Sequence, residues 1–190
     1  MKLAELRDAV RVEGQHKQDS YSATLDRLIN EYFRKYTGRN RYPELHVSQY
    51  LLNVIGNGQS TFTLPANYQL ADMFYYNDRS ISIRGATSNP NRAHNILPNG
   101  ELRYVKIMGN ELNVFPSDQI RIGDVLNLSY YRSYPLLLDT DEHPVRVLDD
   151  VVIAEVTARL YAITDTNKQL AYKQIAKDSF AAARSEYAGK

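Results

Sequence analysis

The chain has 190 residues, of which 43% are apolar, and it carries a net charge of only +1. This length fits one domain, or one domain with a large insert, and the apolar fraction excludes global disorder. The near-neutral charge does not suit a protein that holds nucleic acid tightly, and the absence of cysteine excludes disulfides, thiolate metal sites and a cysteine nucleophile.

The N-terminal segment is predicted to be helical. Residues 1–12 place apolar side chains at helical spacing, and Gly14 stops the pattern. Residues 20–37 give the clearest helix of the N-terminal half, and Gly38 ends it. Its apolar residues recur at i, i+3 and i+4 over three turns: Leu25, Leu28, Ile29, Tyr32, Phe33 and Tyr36.

From residue 42 the helical period gives way to short alternating segments and turn signals. Asn99-Gly100 and Gly109-Asn110 are typical of hairpin turns, because Gly and Asn tolerate a positive φ. Several short strands at even spacing favour a small antiparallel sandwich or curled sheet. The predicted strands are residues 61–65, 73–76, 81–83, 102–108, 111–115 and 125–131.

Helical patterns return after Pro135 and fill residues 149–187 as two helices. Thr166 and Gln169 form a capping box at the start of the second. We therefore predict an α+β protein, with a helical bundle formed by both termini and an inserted antiparallel β domain. The expected divisions are residues 1–41, 42–134 and 135–190. The predicted core of the bundle is Leu25, Leu28, Ile29, Phe33, Val152, Val156, Leu160, Ile175 and Phe180.

Residue patterns for catalysis or metal binding are not found in the sequence. The four histidines His16, His46, His94 and His143 lie far apart, and no two share a helical spacing. There is no phosphate-binding Gly-rich loop followed by Lys and Ser or Thr, and no nucleophile elbow. No apolar run approaches the roughly 18 residues that span a bilayer, and the N-terminus has no signal sequence, so we expect a soluble protein made in a cytoplasm. We predict no enzyme activity and no cofactor.

Two charged segments are each either a binding site or an ordinary solvated part of the surface. The acids Asp139, Asp141, Glu142, Asp149 and Asp150 are either a solvated connector that precedes a helix or a cation site. Residues 79–100 contain no acid but include Arg79, Arg84 and Arg92. This basic stretch is either an ordinary solvated loop or a surface for DNA phosphates or an acidic partner.

A series of short motifs runs through the second half of the chain. It comprises the segments GNELNVFP (109–116), LNLSYYR (126–132) and YPLL (134–137), followed by two closing helices. Upstream, FTLPANY (62–68) adds a further motif to this series. In order and spacing, residues 60–187 resemble the head-to-tail adaptor (connector) proteins of tailed bacteriophages, which include the tail tubular protein A and head-completion groups.

The resemblance implies a structural protein of the virion neck, made in the bacterial host. In that family twelve copies form a ring under the portal protein, the β domain faces the tail or nozzle, and DNA passes through the lumen without tight binding. The portal would bind the C-terminal helix and tail, at Arg184, Tyr187 and Lys190. The tail protein or DNA would meet Arg79, Arg84 and Arg92.

Two other functions remain open from the residues alone. The chain has fifteen Tyr, five Phe and no Trp, and exposed rings such as Tyr75, Tyr76 or Tyr104 would stack on sugars or bases in a binding module. A carboxylate pair such as Glu101 and Glu111 would serve a cell-wall hydrolase, although no motif favours that pair over other acids.

Overall fold

The computed structural model describes residues 1–14, 22–38, 40–84, 102, 104–162 and 164–188. The chain forms two compact units. The first unit combines Met1–Leu45 with Ser133–Lys190, and the second is His46–Arg132. We call them the helical unit and the sheet unit.

The helical unit contains four α-helices: α1 (Leu3–Glu13), α2 (Ser22–Thr37), α3 (Asp149–Tyr161) and α4 (Thr166–Ala188). The helices predicted near both ends of the chain are thus confirmed. In α2 the spacing of the apolar residues explains the packing, since Leu25, Leu28, Ile29 and Phe33 all face inward and are at most 9% exposed.

One apolar core serves the helical unit and draws on residues that are far apart in sequence. The Phe33 ring stacks on Tyr134 with centroids 4.9 Å apart and contacts the buried His143 at 4.6 Å. Leu6 and Val152 lie in the same core and are fully buried. The core therefore depends on loops as well as on helices, because Tyr134 and His143 belong to neither α2 nor α3.

Buried polar groups of the helical unit tie α2 to the segment that follows Tyr134. The Asn30 side chain accepts a hydrogen bond from the Leu137 N–H (2.9 Å) and donates one to the Asp26 carbonyl (2.9 Å). Arg7 of α1 donates two hydrogen bonds to the Asp26 carboxylate, at 2.7 and 2.8 Å, and a further one to Asp139. These contacts satisfy groups whose burial without a partner would be costly.

The sheet unit is a seven-stranded mixed sheet in the order β1-β7-β3-β4-β5-β6-β2. All neighbouring strands are antiparallel except β4 and β5, which are parallel. Its core is a second apolar cluster that includes Phe74, Leu112 and Leu128, each fully buried. The strands are β1 (His46–Leu52), β2 (Thr61–Thr63), β3 (Tyr68–Tyr76), β4 (Arg79–Arg84), β5 (Tyr104–Met108), β6 (Glu111–Phe115) and β7 (Leu126–Arg132).

Positive φ angles mark the turns of two hairpins in the sheet unit, β3–β4 and β5–β6. Gly109 has φ 60° between β5 and β6, as its turn signal predicted. Asn77 (φ 45°) and Asp78 (φ 64°) join β3 to β4, a turn that we did not predict. Two consecutive left-handed residues are typical of the hairpin turn whose twist matches that of the strands, and Asn and Asp adopt this conformation more readily than most residues. The other predicted turn, Asn99-Gly100, lies outside the described residues.

The prediction of a helical bundle formed by both termini, with an inserted antiparallel β domain, is wrong. The sheet is the dominant element and is mixed. Residues 85–103 separate β4 from β5 in sequence, a length sufficient for the crossover that parallel neighbours require, whereas we assumed hairpins throughout. No bundle made by both termini is present in the described part of the chain.

Helix α4 explains the part of the wrong prediction that concerns the helical bundle. In α4 the buried residues are the small side chains Ala176 and Ala183, whereas Ile175 is 48% exposed and Phe180 is only partly buried. Helix α4 packs chiefly against α3. The predicted core residues on α2 and on the first turns of α3 are buried. Leu160 is only partly buried, and the predicted burial of Ile175 is wrong. The i, i+3, i+4 spacing of α4 does mark its packed face, since Ala176, Phe180 and Ala183 follow it, but Ile175 lies off that face.

The two phenylalanines of the helical unit test this core. We expect Phe33→Ala to lower the free energy of unfolding by about 3–5 kcal/mol, because the ring is fully buried and its loss leaves a cavity. Phe180→Ala should cost roughly 1–2 kcal/mol, because that ring already meets water. Urea melts of both variants measure the difference. Equal losses would contradict the placement of Phe180 at the edge of the core.

Candidate functional site

Of the three arginines that the sequence singled out for a tail protein or DNA, the two that the structure describes lie at opposite ends of one strand. Arg79 begins β4 and Arg84 ends it, so their backbones are about 17 Å apart along the strand. The Arg84 guanidinium lies 4.3 Å from the centroid of the Tyr104 ring, which in turn stacks on Phe115 at 5.0 Å. Arg92 lies outside the described residues. Arg84 is therefore held by aromatic stacking at one end of β4, and Arg79 lies at the opposite end.

The Arg79 end of β4 borders a cavity of about 360 Å³. Besides Arg79, its walls include Tyr76, Asn77 and Gln119. Asp124 organises the polar side chains here. Its carboxylate accepts hydrogen bonds from the Tyr76 hydroxyl (2.9 Å), the Asn77 amide (3.1 Å) and the Arg121 N–H (2.7 Å). Partial burial alone would raise the pKa of Asp124, but these hydrogen bonds outweigh it and hold the pKa below its ordinary value.

Two of the three residues expected to meet the portal, Arg184 and Tyr187, belong to the end of α4. Arg184 is exposed and lies near enough to Tyr42 to act on it electrostatically. Burial, followed by the nearby Glu44, raises the pKa of Tyr42 to about 12, and the positive charge of Arg184 opposes that shift. The helix continues through Tyr187 to Ala188, and Lys190 lies outside the described residues.

The tyrosines proposed as stacking platforms already have intramolecular contacts. The Tyr76 hydroxyl bonds Asp124, and the Tyr75 hydroxyl lies 2.9 Å from the Met73 sulfur. Tyr104 stacks between Arg84 and Phe115. These contacts give no support to a flat aromatic surface that is open to sugars or bases.

The structure brings together one Ser, one His and one Asp that the sequence does not reveal as a group. Ser129 lies on β7, the strand between β1 and β3, which carry His46 and Asp72. Ser129 Oγ is 2.8 Å and Asp72 Oδ2 is 3.2 Å from the same ring nitrogen, His46 Nε2. A catalytic relay places Ser and Asp on opposite ring nitrogens. Since Ser129 is also only 4% exposed, the group acts as a polar tie across three strands.

The acids of residues 139–150, the acidic connector, contact separate partners. Asp139 pairs with Arg7, Glu142 with Arg146 (2.8 Å), and Asp149 with the buried His143. No group of three or more His, Asp or Glu side chains in the described ranges is placed to hold a metal ion. His16, His94 and Glu101 lie outside the described residues, while Glu111 is an exposed residue of β6. Asp139 and Glu142 thus already pair with arginines, and the described residues give no support to a cation site in the connector.

None of the described helices has the length and apolar composition to cross a membrane. A family match extends over the whole chain. The family model described as the SU10 adaptor protein matches residues 1–190. The chain belongs to the SU10 adaptor protein family. This is a family of phage head-to-tail adaptors, and the resemblance inferred from the sequence is thereby confirmed. No curated protein matches the chain.

Membership of this family establishes the general role of the adaptor. A phage head-to-tail adaptor is a structural protein of the virion neck, and its general partners are portal and tail proteins. The predicted identity and the predicted class of partner agree with this role.

The Asp124 contacts predict a pH dependence in the sheet unit of the adaptor. Because the folded-state pKa of Asp124 is lowered, its ionised form stabilises the fold above the ordinary carboxyl pKa of about 4. That stabilisation is lost as the pH falls through the lower, folded-state pKa. We expect Asp124→Asn to cost about 1 kcal/mol at neutral pH, a modest value because the group is partly exposed, and to cost progressively less below about pH 4.

Urea melts at neutral and acidic pH measure this effect. Asp118→Asn is the matched control, since Asp118 is exposed on the same connection and should show no such trend. A constant difference between the adaptor and Asp124→Asn across this pH range would contradict the role given to the carboxylate.

Proposed function

We propose that the adaptor forms a ring of twelve copies between the portal and the tail, and that the viral DNA passes through the lumen of this ring. The observation that carries the proposal is the family match over residues 1–190. The known general role of the family explains why the chain needs several contact surfaces, whereas a small-molecule enzyme needs one pocket.

The two compact units support a role in joining different partners. Each unit has its own apolar core, so each can keep its fold while its surface evolves to fit a different neighbour. A ring also requires heterologous contacts between copies, which place two different surfaces of each subunit side by side. We assign portal docking to residues 135–190 and tail docking to residues 42–134.

The charge of the chain suits a DNA conduit. Strong binding to phosphates grows with the number of cations that contact them, and it would slow the movement of DNA through a channel. The net charge of +1 and the dispersed ion pairs of the acidic connector are consistent with weak DNA contact. Catalysis has no support in the described residues, because the Ser129–His46–Asp72 group lacks the relay geometry.

For the portal contact we propose the end of α4, with Arg184, Tyr187 and Lys190 as the binding residues. Arg184 is exposed, and the residues beyond Ala183 that have a described side chain are exposed as well. The exposed Arg184, followed in sequence by an aromatic residue and a second cation, suits an acidic, partly apolar site on a partner.

Deletion of residues 185–190 tests the portal contact. Among the described side chains of α4 the last buried one is Ala183, so the shortened chain should fold with an unchanged urea midpoint. We expect it to lose co-sedimentation with purified portal rings. The point variant Tyr187→Ser should weaken portal binding without removing it. A truncated chain that binds the portal as well as the full chain would exclude the end of α4 as the docking element.

For the tail contact we propose Arg79, Arg84 and the intervening segment that carries Arg92. The triple variant Arg79→Ser, Arg84→Ser and Arg92→Ser should weaken tail attachment, and the defect should grow with salt concentration as the remaining electrostatic attraction is screened. Because Arg84 stacks on Tyr104, we expect this variant to lose up to about 1 kcal/mol of stability.

Assembly of tailed particles, counted by electron microscopy, measures the effect of the triple variant. A control with the same charge change in the helical unit is Arg27→Ser, Arg146→Ser and Lys177→Ser, all at exposed positions. Normal tailing of the first variant, or an equal defect in the control, would remove the arginines of residues 79–92 from the tail interface.

A further inference from the structure

Three helices of the helical unit enclose a groove with an excess of positive charge. Helices α2, α3 and α4 contribute Tyr32, Lys35, Glu155, Arg159, Gln169 and Lys173 to its walls, and its volume is about 420 Å³. We call it the cationic groove. We propose that the cationic groove binds the carboxylates of an acidic segment of a partner protein. This binding site is separate from the end of α4 and does not depend on ring formation.

The charge balance of the cationic groove favours an anion. Three cations line it, Lys35, Arg159 and Lys173, against the single carboxylate of Glu155. Arg159 and Lys173 are exposed, and in the part of the chain that the structure describes neither forms an ion pair. Two cations that project into one concavity hold the groove at a positive potential, which attracts carboxylates.

The one acid of the groove is already neutralised by its neighbours. Glu155 Oε1 lies 3.3 Å from Lys35 Nζ and accepts a hydrogen bond from the Tyr36 hydroxyl. Burial, together with this hydrogen bond, raises the pKa of Tyr36, so the hydroxyl keeps its proton and remains a donor. Glu155 therefore has its own partners, which leaves Arg159 and Lys173 available for a ligand.

Aromatic rings hold Lys35 in a defined position. Its Nζ lies 5.0 Å from the centroid of Tyr32 and 5.2 Å from that of Tyr36, distances at which a cation and a ring attract each other. A cation fixed by two rings and an ion pair loses little conformational freedom when a ligand arrives. The groove is thus partly organised before binding.

A neighbouring hollow extends the groove and indicates the chemistry of the partner. This hollow, of about 600 Å³, shares Lys35 with the groove and is also lined by Arg34, Tyr36 and Phe180. Arg34 adds a further cation, and the partly buried ring of Phe180 adds an apolar wall. A peptide segment with two or more acids followed by an apolar residue would match both parts.

A protein partner fits this surface better than nucleic acid does. Binding to a phosphate backbone requires cations at repeated intervals along the strand, and affinity increases with each phosphate neutralised. Beyond Lys173 and Lys177, however, the described part of α4 presents two exposed acids, Asp178 and Glu186, against the one exposed cation Arg184. A polyanion that followed α4 would meet these acids, whereas a short acidic segment would end before them.

Binding of fluorescein-labelled hexaglutamate to the full chain, measured by fluorescence anisotropy at low salt, tests the proposal. We expect the double variant Arg159→Ser and Lys173→Ser to raise the Kd by about tenfold or more, since both free cations are lost. The matched control is Lys168→Ser with Lys177→Ser, which removes two exposed charges of α4 that do not line the groove and should leave the Kd within about twofold. Circular dichroism checks that both variants remain folded.

Three results would overturn the inference. They are the absence of hexaglutamate binding, an equal loss in the control variant, and tighter binding of a short DNA duplex that the groove variant abolishes. The last result would assign the groove to nucleic acid. Because the experiment uses the chain alone, its failure would leave portal docking and ring formation untouched.

Discussion

The shared apolar core of the helical unit is the constraint on which most of the adaptor depends. Phe33 is fully buried in this core, where its ring contacts Tyr134 and His143, two residues that lie about a hundred positions further along the chain. Neither α2 nor α3 could bury its apolar face alone, since most of the stability of a helix in a protein comes from tertiary packing. The same packing brings Lys35 next to Glu155, so the cationic groove exists as a consequence of the core.

In the sheet unit, polar side chains as well as apolar packing fix the positions of strands and turns. Strand β7 lies between β1 and β3, and Ser129 on it joins His46 and Asp72. At one end of the sheet, Asp124 fixes the turn between β3 and β4 through the Asn77 amide. The Asp124 contact holds the turn before Arg79, whereas Arg84 at the other end of β4 is held by its stacking on Tyr104. A docking surface on this unit would therefore be rigid at its two margins.

Local elements of this fold follow from sequence, but its topology does not. The i, i+3, i+4 pattern of α2 predicted both a helix and its buried face, and Gly109 predicted a hairpin turn, because both signals arise within a few residues. The parallel pairing of β4 with β5 depends on a crossover between distant residues, and no local pattern encodes it. In α4 the spacing predicted the packed face that contains Ala176 and Ala183, but it did not show that Ile175 is exposed, because positions 175 and 176 both fit the i, i+3, i+4 pattern. The cationic groove escaped notice for a similar reason, since Lys35, Arg159 and Lys173 come from three helices.

The central claim is that the adaptor works as a ring between the portal and the tail. The number of adaptor chains bound to a purified portal ring, obtained from the mass of the complex and from its symmetry in electron micrographs, tests that claim most directly. The proposed function predicts twelve copies in a closed ring, with the end of α4 against the portal and an open channel at the centre. A complex with scattered single copies, or an adaptor that stays monomeric in the presence of the portal, would contradict it.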